Sequence, residues 1–247
     1  MQTADAYGSR TVWRVLLIFC STLLPFFAIA NEVATTADLP TQCDQPRLVT
    51  LYQGATDSAV ALGITPVGVV DAWLEKPTYR YVRDALTNVE HVGLETQPNL
   101  EKVAWLNPDA IIASHFRHER VAPLLSAMAT SVYANTVYDF KTTLALVAEA
   151  SEREQQAQAL LQRWETRVAD FRQQIADQLG GQWPQKVAVV RFKSDHVRIY
   201  TSGFAGSILD ELGFEQPETL ASQDWGMKLA STENIPCLLY TSDAADE

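Results

Sequence analysis

The chain has 247 residues, of which 47% are apolar and 20% are charged. This composition is typical of a globular protein and excludes a disordered or fibrous chain. The net charge is −11, with 19 basic residues against 30 acidic ones. Proteins that follow phosphate backbones carry an excess of Lys and Arg, so nucleic acid is excluded as a partner.

Residues 1–30 have the pattern of a signal peptide. Arg10 and Arg14 precede an apolar run over residues 15–30, which ends in the small-x-small sequence Ala28-Ile29-Ala30. A membrane anchor is the alternative, but Pro25 interrupts the run, which is also shorter than the roughly 20 residues that span a bilayer. We therefore predict cleavage after Ala30 and export as a soluble protein.

The three cysteines give little information about the fold or the function. Cys20 is in the signal segment, and the bulky Phe19 before it argues against lipoprotein processing. Cys43 and Cys237 remain, and such a pair in an exported protein could form a disulfide. Cys237, however, belongs to a tail that we interpret separately below.

Strands and helices alternate between residues 46 and 138. The predicted strands are residues 47–51, 66–70, 110–113 and 131–134. The predicted helices are residues 57–63, a helix from near Pro98 to Leu106, and residues 121–128. Continuous apolar strands that alternate with helices indicate a parallel sheet covered on both faces. This segment is therefore predicted to be an N-terminal α/β lobe.

Residues 139–181 follow a different pattern. Apolar residues recur at helical spacing until Gly180-Gly181, which predicts one long helix, with Ser151 marking where a break would fall. A coiled-coil helix is the alternative, but no a/d heptad is sustained. Because α/β segments flank the run on both sides, we interpret it as a helix that links two lobes.

Residues 185–236 begin a second α/β lobe. Strands are predicted at 187–192 and 197–200, a polar turn at 193–196, and a helix over 204–213. An α/β lobe needs more strands than these, so we expect this lobe to be incomplete. Residues 237–247 follow none of the earlier patterns and look like a translated sequencing adapter. We interpret them as a non-native tail and expect the natural protein to continue beyond Pro236.

Several stretches occur in the order found in the siderophore-binding proteins of ABC importers. They are ALGITPVGV (61–69), VGLETQPNLE (92–101), LNPDAIIA (106–113), RF (191–192), RIY (198–200) and GSIL (206–209). Across residues 47–236 the chain resembles this family, especially its members for iron(III) dicitrate and for citrate-based hydroxamates. The resemblance implies the class III periplasmic-binding-protein fold: two parallel-sheet α/β lobes, joined by a long helix, that hold the ligand between them.

The resemblance also implies a function. We expect a monomeric periplasmic protein, not an enzyme, that captures a ferric siderophore without any cofactor and delivers it to an ABC importer permease. Haem, cobalamin or another metal chelate on the same fold is the alternative. Carboxylates dock such proteins on their permeases, and the candidates are Glu75 or Asp84 in the first lobe and Asp210 or Glu211 in the second.

Three arginines are the first candidates for the ligand site. Arginine suits an anionic or oxygen-rich chelate because its planar fork pairs two oxygens at once. Arg117 follows the strand 110–113, where a parallel sheet opens its ligand crevice, and it matches an arginine of the dicitrate-binding relatives. Arg191 and Arg198 lie on strands of the second lobe and match arginines of the citrate-hydroxamate relatives. A surface position or a structural salt bridge is the alternative for each.

Four further residues complete the predicted site. Trp73 follows the second strand and could form an aromatic wall, Tyr200 could offer its phenol, and His118 could line the pocket beside Arg117. Core or rim packing is the alternative for the two aromatic residues. Glu95 departs from the hydroxamate-binding relatives, which often carry arginine there; it could repel an anionic chelate, pair with Arg117, or accept from a ligand hydroxyl.

Metal and catalytic centres find no support in the residue pattern. Among the four histidines only His115 and His118 are close in sequence, and no carboxylate follows in a ligand pattern. The stretch Gly203 to Ser207 lacks the order of a nucleophile elbow, and no phosphate-binding glycine loop occurs. We therefore predict neither a catalytic residue nor a metal ligand.

Overall fold

The computed structural model describes residues 45–220 and 225–229. The predicted signal peptide (residues 1–30), Cys43, Cys237 and the predicted tail (residues 237–247) lie outside these ranges. Within them, no helix has the length and apolar character needed to cross a membrane.

The secondary structure alternates between strands and helices, as predicted. The described strands are β1 (Leu48–Thr50), β2 (Gly68–Asp71), β3 (Glu90–Leu94), β4 (Gln97–Pro98), β5 (Ala110–Ser114), β6 (Thr130–Ala134), β7 (Val189–Phe192), β8 (Val197–Tyr200) and β9 (Gly226–Leu229). The described α-helices are α1 (Gln53–Ala61), α2 (Leu100–Trp105), α3 (His115–His118), α4 (Ala122–Met128), α5 (Phe140–Ala150), α6 (Glu154–Leu179) and α7 (Phe204–Leu212). β3, β4, β9 and α3 were not predicted from the sequence.

The first six strands form one sheet in the order β4-β3-β2-β1-β5-β6. All neighbours run parallel except β3 and β4, which are antiparallel. The chain leaves β1 toward β2 on one side and returns to β5 on the other, so β1 is a topological switch point. Ligands of open parallel sheets bind beyond the carboxyl ends of the strands at such a point.

The core lies on both faces of this sheet. Leu48 and Ile112 project to one face and pack with residues of α1 and α5, while Val49 and Ile111 project to the other face and pack with residues of α2 and α4. Every residue of β5 is buried. This explains why β5 reads as a continuous apolar run, since a central parallel strand has no face toward water.

The predicted long helix is two helices. α5 ends at Ala150, where Oγ of Ser151 donates to the carbonyl of Val147 at 2.6 Å and Glu152 takes a positive φ of 56°. A serine that bonds back to the preceding turn competes with the helical ladder, which accounts for the break at the residue where one was anticipated. α6 then continues for 26 residues, about 39 Å at the helical rise.

The second sheet has the described order β7-β8-β9. Its described strands are antiparallel, whereas the resemblance implied a parallel second lobe. The reason is local, because four residues join β7 to β8 and so short a loop connects only antiparallel neighbours. α7 begins soon after β8, and its first turn packs tightly against the residues that precede it. A Cβ on Gly206 would lie 1.6 Å from the carbonyl oxygen of Thr201, so only glycine fits there. The expected α/β architecture with a long helix is confirmed.

Candidate functional site

Four of the seven predicted site residues meet at the carboxyl ends of the first sheet. Trp73 follows β2, Glu95 follows β3, and Arg117 and His118 belong to α3, which begins where β5 ends. The parallel strand order brings these chain segments to one edge of the sheet, at the crevice beside the switch point.

Glu95 is at the centre of this group. Its side chain is buried, with 5% of the residue exposed. Oε1 accepts a hydrogen bond from Nε of Arg117 at 3.1 Å, and Oε2 accepts one from Nε1 of Trp73 at 3.2 Å. Burying a carboxylate is costly unless it has such partners. Of the three alternatives considered for Glu95, the one seen in the structure is the pairing with Arg117.

His118 supports Glu95 from behind. The residue is 1% exposed and does not line the cavity, unlike the prediction that placed it in the pocket beside Arg117. Nδ1 accepts from the backbone N–H of Ser114 at 3.1 Å, so Nε2 carries the proton and donates to the carbonyl of Glu95 at 2.9 Å. Burial lowers the pKa of His118 and outweighs these contacts, which act in the opposite direction. The neutral imidazole therefore fixes the backbone of Glu95.

The turn before Glu95 depends on Gly93. Its φ is +96°, and a Cβ there would lie 3.0 Å from the carbonyl oxygen of Gln97. Glycine adopts this conformation without steric penalty. Asn99 then caps α2 by accepting from the backbone N–H of Lys102 at 3.0 Å. The VGLETQPNLE stretch is thus a tight β3–β4 turn that leads into a capped helix and places Glu95 in the crevice.

The second sheet brings three cationic residues into one row. Arg191 is directly opposite Arg198, and Arg198 is directly opposite Lys228. Directly opposite residues share a face of the sheet, and so does Tyr200, two residues beyond Arg198. Like charges opposite one another destabilise a sheet, and a bound anion would relieve the repulsion.

Arg198 is the best placed of the three. Its Cζ lies 4.5 Å from the centroid of the Trp225 ring, within the range of a cation–π contact. Its Nε is buried and has no hydrogen-bond partner among the described residues. Lys228 is exposed and lies 3.8 Å from a carboxylate oxygen of Asp195, and Arg191 is exposed on β7.

A cavity of about 530 Å³ lies between the two sheets. Both sides contribute to its wall, which consists of Phe116, Arg117, Val137, Tyr138, Val189, Tyr200, Gly203, Phe204, Ala205 and Trp225. Arg117 is the cation on the first side. Tyr200 and Trp225 line the second side, on the sheet face that carries Arg198. The arrangement suits a ligand that is both oxygen-rich and large enough to contact aromatic rings.

A larger cavity of about 710 Å³ lies next to this one, among α1, α5, α6 and α7. Its described lining includes Leu144, Leu160 and Ile208 and contains neither Lys nor Arg. Such a wall offers few donors to an anionic chelate. The cavity between the two sheets is therefore the better candidate for the ligand site, although it is the smaller of the two.

Two residues near the site, Trp225 and Lys228, were not predicted from the sequence. Trp225 and Lys228 were missed because the short strand β9 carries no strong pattern, and their role depends on its pairing with β8. Trp73 is 49% exposed and donates its indole N–H to Glu95. Among the described residues, no group of three or more His, Cys, Asp or Glu side chains is arranged to hold a metal ion.

The candidate docking acids differ in their surroundings. Asp84 and Asp210 are exposed, and Glu75 is exposed but accepts from the backbone N–H of Arg80 at 2.9 Å. Glu211 is partly buried and engaged, with Lys141 at 2.8 Å and Nε1 of Trp164 at 2.6 Å. Since Glu211 already has two internal partners, Asp210 is the better candidate of that pair.

Comparisons with known proteins agree with this architecture. Residues 48–236 match the family model described as periplasmic binding protein. The chain is 47% identical over 225 residues to the achromobactin-binding periplasmic protein of Dickeya dadantii (strain 3937), a match that covers 90% of this chain and 72% of the relative. It is 37% identical over 192 residues to the "Probable siderophore-binding lipoprotein YfiY" of Bacillus subtilis (strain 168), covering 77% of this chain and 57% of the relative.

A solved structure is also similar. The complex of Staphylococcus aureus SirA with staphyloferrin B superposes with a TM-score of 0.76 at 42% identity, covering 78% of this chain and 68% of that one. The resemblance inferred from the sequence is thereby confirmed. The chain belongs to the periplasmic binding protein family, whose members bind a ligand without a resident cofactor and are not enzymes.

Proposed function

We propose that this protein captures a ferric siderophore of the carboxylate type in the cavity between its two sheets and delivers it to an ABC importer. The observation that carries the proposal is one aromatic-lined cavity with Arg117 in its wall on the first side and, on the second side, Trp225, against whose ring Arg198 lies. The names of the similar proteins, which record achromobactin, staphyloferrin B and Fe(3+) dicitrate, support this ligand class.

The side chains suit such a chelate. Arginine presents planar, charged donors that pair with carboxylate oxygens two at a time. Tyr200 adds a phenol and Trp225 an aromatic face beside Arg198. The unpartnered Nε of Arg198 and the like-charged row on its sheet would both gain from a bound anion.

The proposal includes a location and a partner. The protein would act as a monomer in the periplasm after removal of residues 1–30, and the exposed acids Glu75, Asp84 and Asp210 would meet the permease. The similar proteins are named as a periplasmic protein and a lipoprotein, which supports a place outside the cytoplasmic membrane. Mass spectrometry of the exported protein tests cleavage after Ala30, and light scattering tests the monomer.

Ligand binding is tested by quenching of tryptophan fluorescence. The full chain is titrated with the ferric complexes of achromobactin, staphyloferrin B, citrate and a hydroxamate, and in parallel with haem and cobalamin. Saturable quenching by the carboxylate complexes is expected, because Trp225 lines the cavity. Quenching by haem or cobalamin alone would support the alternative ligand, and no quenching by any ferric siderophore would refute the proposal.

A further inference from the structure

The contact between Glu95 and Arg117 uses a particular edge of the guanidinium. Glu95 binds Nε of Arg117 at 3.1 Å, and the Arg117 side chain is 30% exposed at the cavity that it lines. Guanidinium groups have five N–H donors, of which Nε carries one. The terminal nitrogens Nη1 and Nη2, with four N–H groups, remain for a ligand.

Glu95 is itself held from three directions. Trp73 donates to Oε2, Arg117 donates to Oε1, and the neutral ring of His118 donates to the backbone carbonyl. The side chain is 6% exposed, so the cavity presents Arg117 and not the carboxylate behind it. A carboxylate locked in this way holds its arginine in one orientation, and such support from behind is what keeps a binding group in productive geometry.

We infer that Glu95 is a positioning residue, which fixes Arg117 by its Nε so that Nη1 and Nη2 form a fork for one carboxylate of the chelate. The inference rests on the proposed function and deepens it. The opposing view is that Glu95 is only a nearby negative charge that weakens binding of an anion. The two views predict opposite effects when the charge is removed while the shape is kept.

The variant Glu95→Gln separates the positioning view from the repulsion view, because two N–H donors face this side chain. Glutamine has one acceptor oxygen and one NH₂ donor, so it satisfies either Arg117 or Trp73 and opposes the other. Positioning predicts roughly tenfold weaker binding of ferric staphyloferrin B or ferric achromobactin, the size of effect expected for an orphaned donor. Simple repulsion predicts tighter binding, most of all at low salt.

A rescue experiment makes the test specific. Trp73→Phe removes the indole donor, so in the double variant the glutamine oxygen is free to face Arg117. We expect Glu95→Gln in the Trp73→Phe background to bind within about threefold of Trp73→Phe alone. Glu119→Gln is the matched control, since Glu119 is an exposed acid two residues from Arg117 and its loss changes the charge alone. Equal or tighter binding by Glu95→Gln, or no recovery in the double variant, would overturn the inference.

A readout without any siderophore distinguishes this inference from the proposed function. The Nε–H signal of Arg117 in ¹⁵N NMR, assigned by its loss in Arg117→Lys, is expected in the wild type at a hydrogen-bonded position. It should move toward the free-arginine position in Glu95→Gln and return in the double variant. If the wild type binds no chelate, the proposed function fails and these shifts alone decide whether Glu95 positions Arg117. A signal unchanged by Glu95→Gln would refute the positioning role.

Discussion

Glu211 joins the two halves of the molecule through Lys141. Oε1 of Glu211 in α7 lies 2.8 Å from Nζ of Lys141 in α5, and Oε2 accepts from Nε1 of Trp164 in α6 at 2.6 Å. α5 packs on the first sheet, whereas α7 lies between β8 and β9 of the second sheet in the chain. A single carboxylate therefore connects both lobes with the long helix between them.

The first prediction is that Glu211 stabilises the fold. Glu211→Ala should lower the free energy of unfolding by about 1–3 kcal/mol because it leaves the Trp164 indole without its acceptor. Glu211→Gln keeps an acceptor for Trp164 and should lower the free energy of unfolding by less than about 1 kcal/mol. Urea unfolding measures both. Asp210→Asn is the matched control, and equal stability of Glu211→Ala and Asp210→Asn would contradict the prediction.

Acid should weaken the same connection. Burial acts to raise the pKa of Glu211, but the hydrogen bonds from Lys141 and Trp164 together outweigh it and lower the pKa below 4.5. A lowered carboxyl pKa gives stability that is complete above the unfolded value and lost as the pH falls through the folded value. The difference in stability between wild type and Glu211→Gln should therefore shrink below pH 4.5. A stability difference between these two proteins that stays constant down to the pH of acid unfolding would contradict this prediction.

The row of cations in the second sheet should govern attraction of the chelate. We expect Arg198→Ala to weaken binding of ferric staphyloferrin B roughly ten- to hundredfold, because a partly buried charged donor is lost. Lys228→Ala, at an exposed position, should weaken it about two- to fivefold. Both losses should diminish as salt is added. Arg167→Ala, an exposed arginine of α6, is the control, and an effect of that variant equal to Arg198→Ala would exclude a specific role for the row.

Acidification should destabilise the first side of the site through His118. Burial lowers the pKa of His118 below 6.5, so the folded protein prefers the neutral ring. Since the unfolded chain takes up a proton more readily, stability is complete above pH 6.5 and is lost as the pH falls toward the folded pKa. Thermal unfolding between pH 5 and 7.5 should show a smaller pH slope for His118→Gln than for wild type. His115→Gln, at an exposed position, should retain the wild-type slope; equal slopes for all three proteins would disprove the assignment.

Alkali should destabilise the core through Tyr52. This side chain is fully buried, its hydroxyl donates to Oγ1 of Thr143 at 3.0 Å, and burial raises the pKa of Tyr52 to about 12. A raised tyrosine pKa stabilises the fold fully below pH 10 and less as the pH rises toward 12. The free energy of unfolding of Tyr52→Phe should therefore fall less steeply with pH over that interval. At neutral pH it should be lower than that of the wild type by about 0.5–1.5 kcal/mol. Tyr79→Phe is the control, and a slope shared by both variants would contradict the prediction.

Much of the fold was predictable because periodicity is a local property. The strands β1, β2, β5 and β6 were found within one or two residues, since each contains a short apolar run bounded by polar or turn residues. β9 was missed because four residues of mixed character acquire strand geometry only by pairing with β8. The break between α5 and α6 was foreseen only as a position, as its cause is the hydrogen bonding of Ser151.

For the site, the sequence by itself determined which kinds of side chain were available and that Trp73 and Arg117 each follow a strand of the first sheet. Only the tertiary structure decided their roles. It buried Glu95 between Trp73 and Arg117, turned His118 away from the cavity, and brought Lys228 into register with Arg198. The physical reason is that burial, pairing and hydrogen-bond direction depend on neighbours distant in sequence, whereas composition and periodicity are properties of the chain alone.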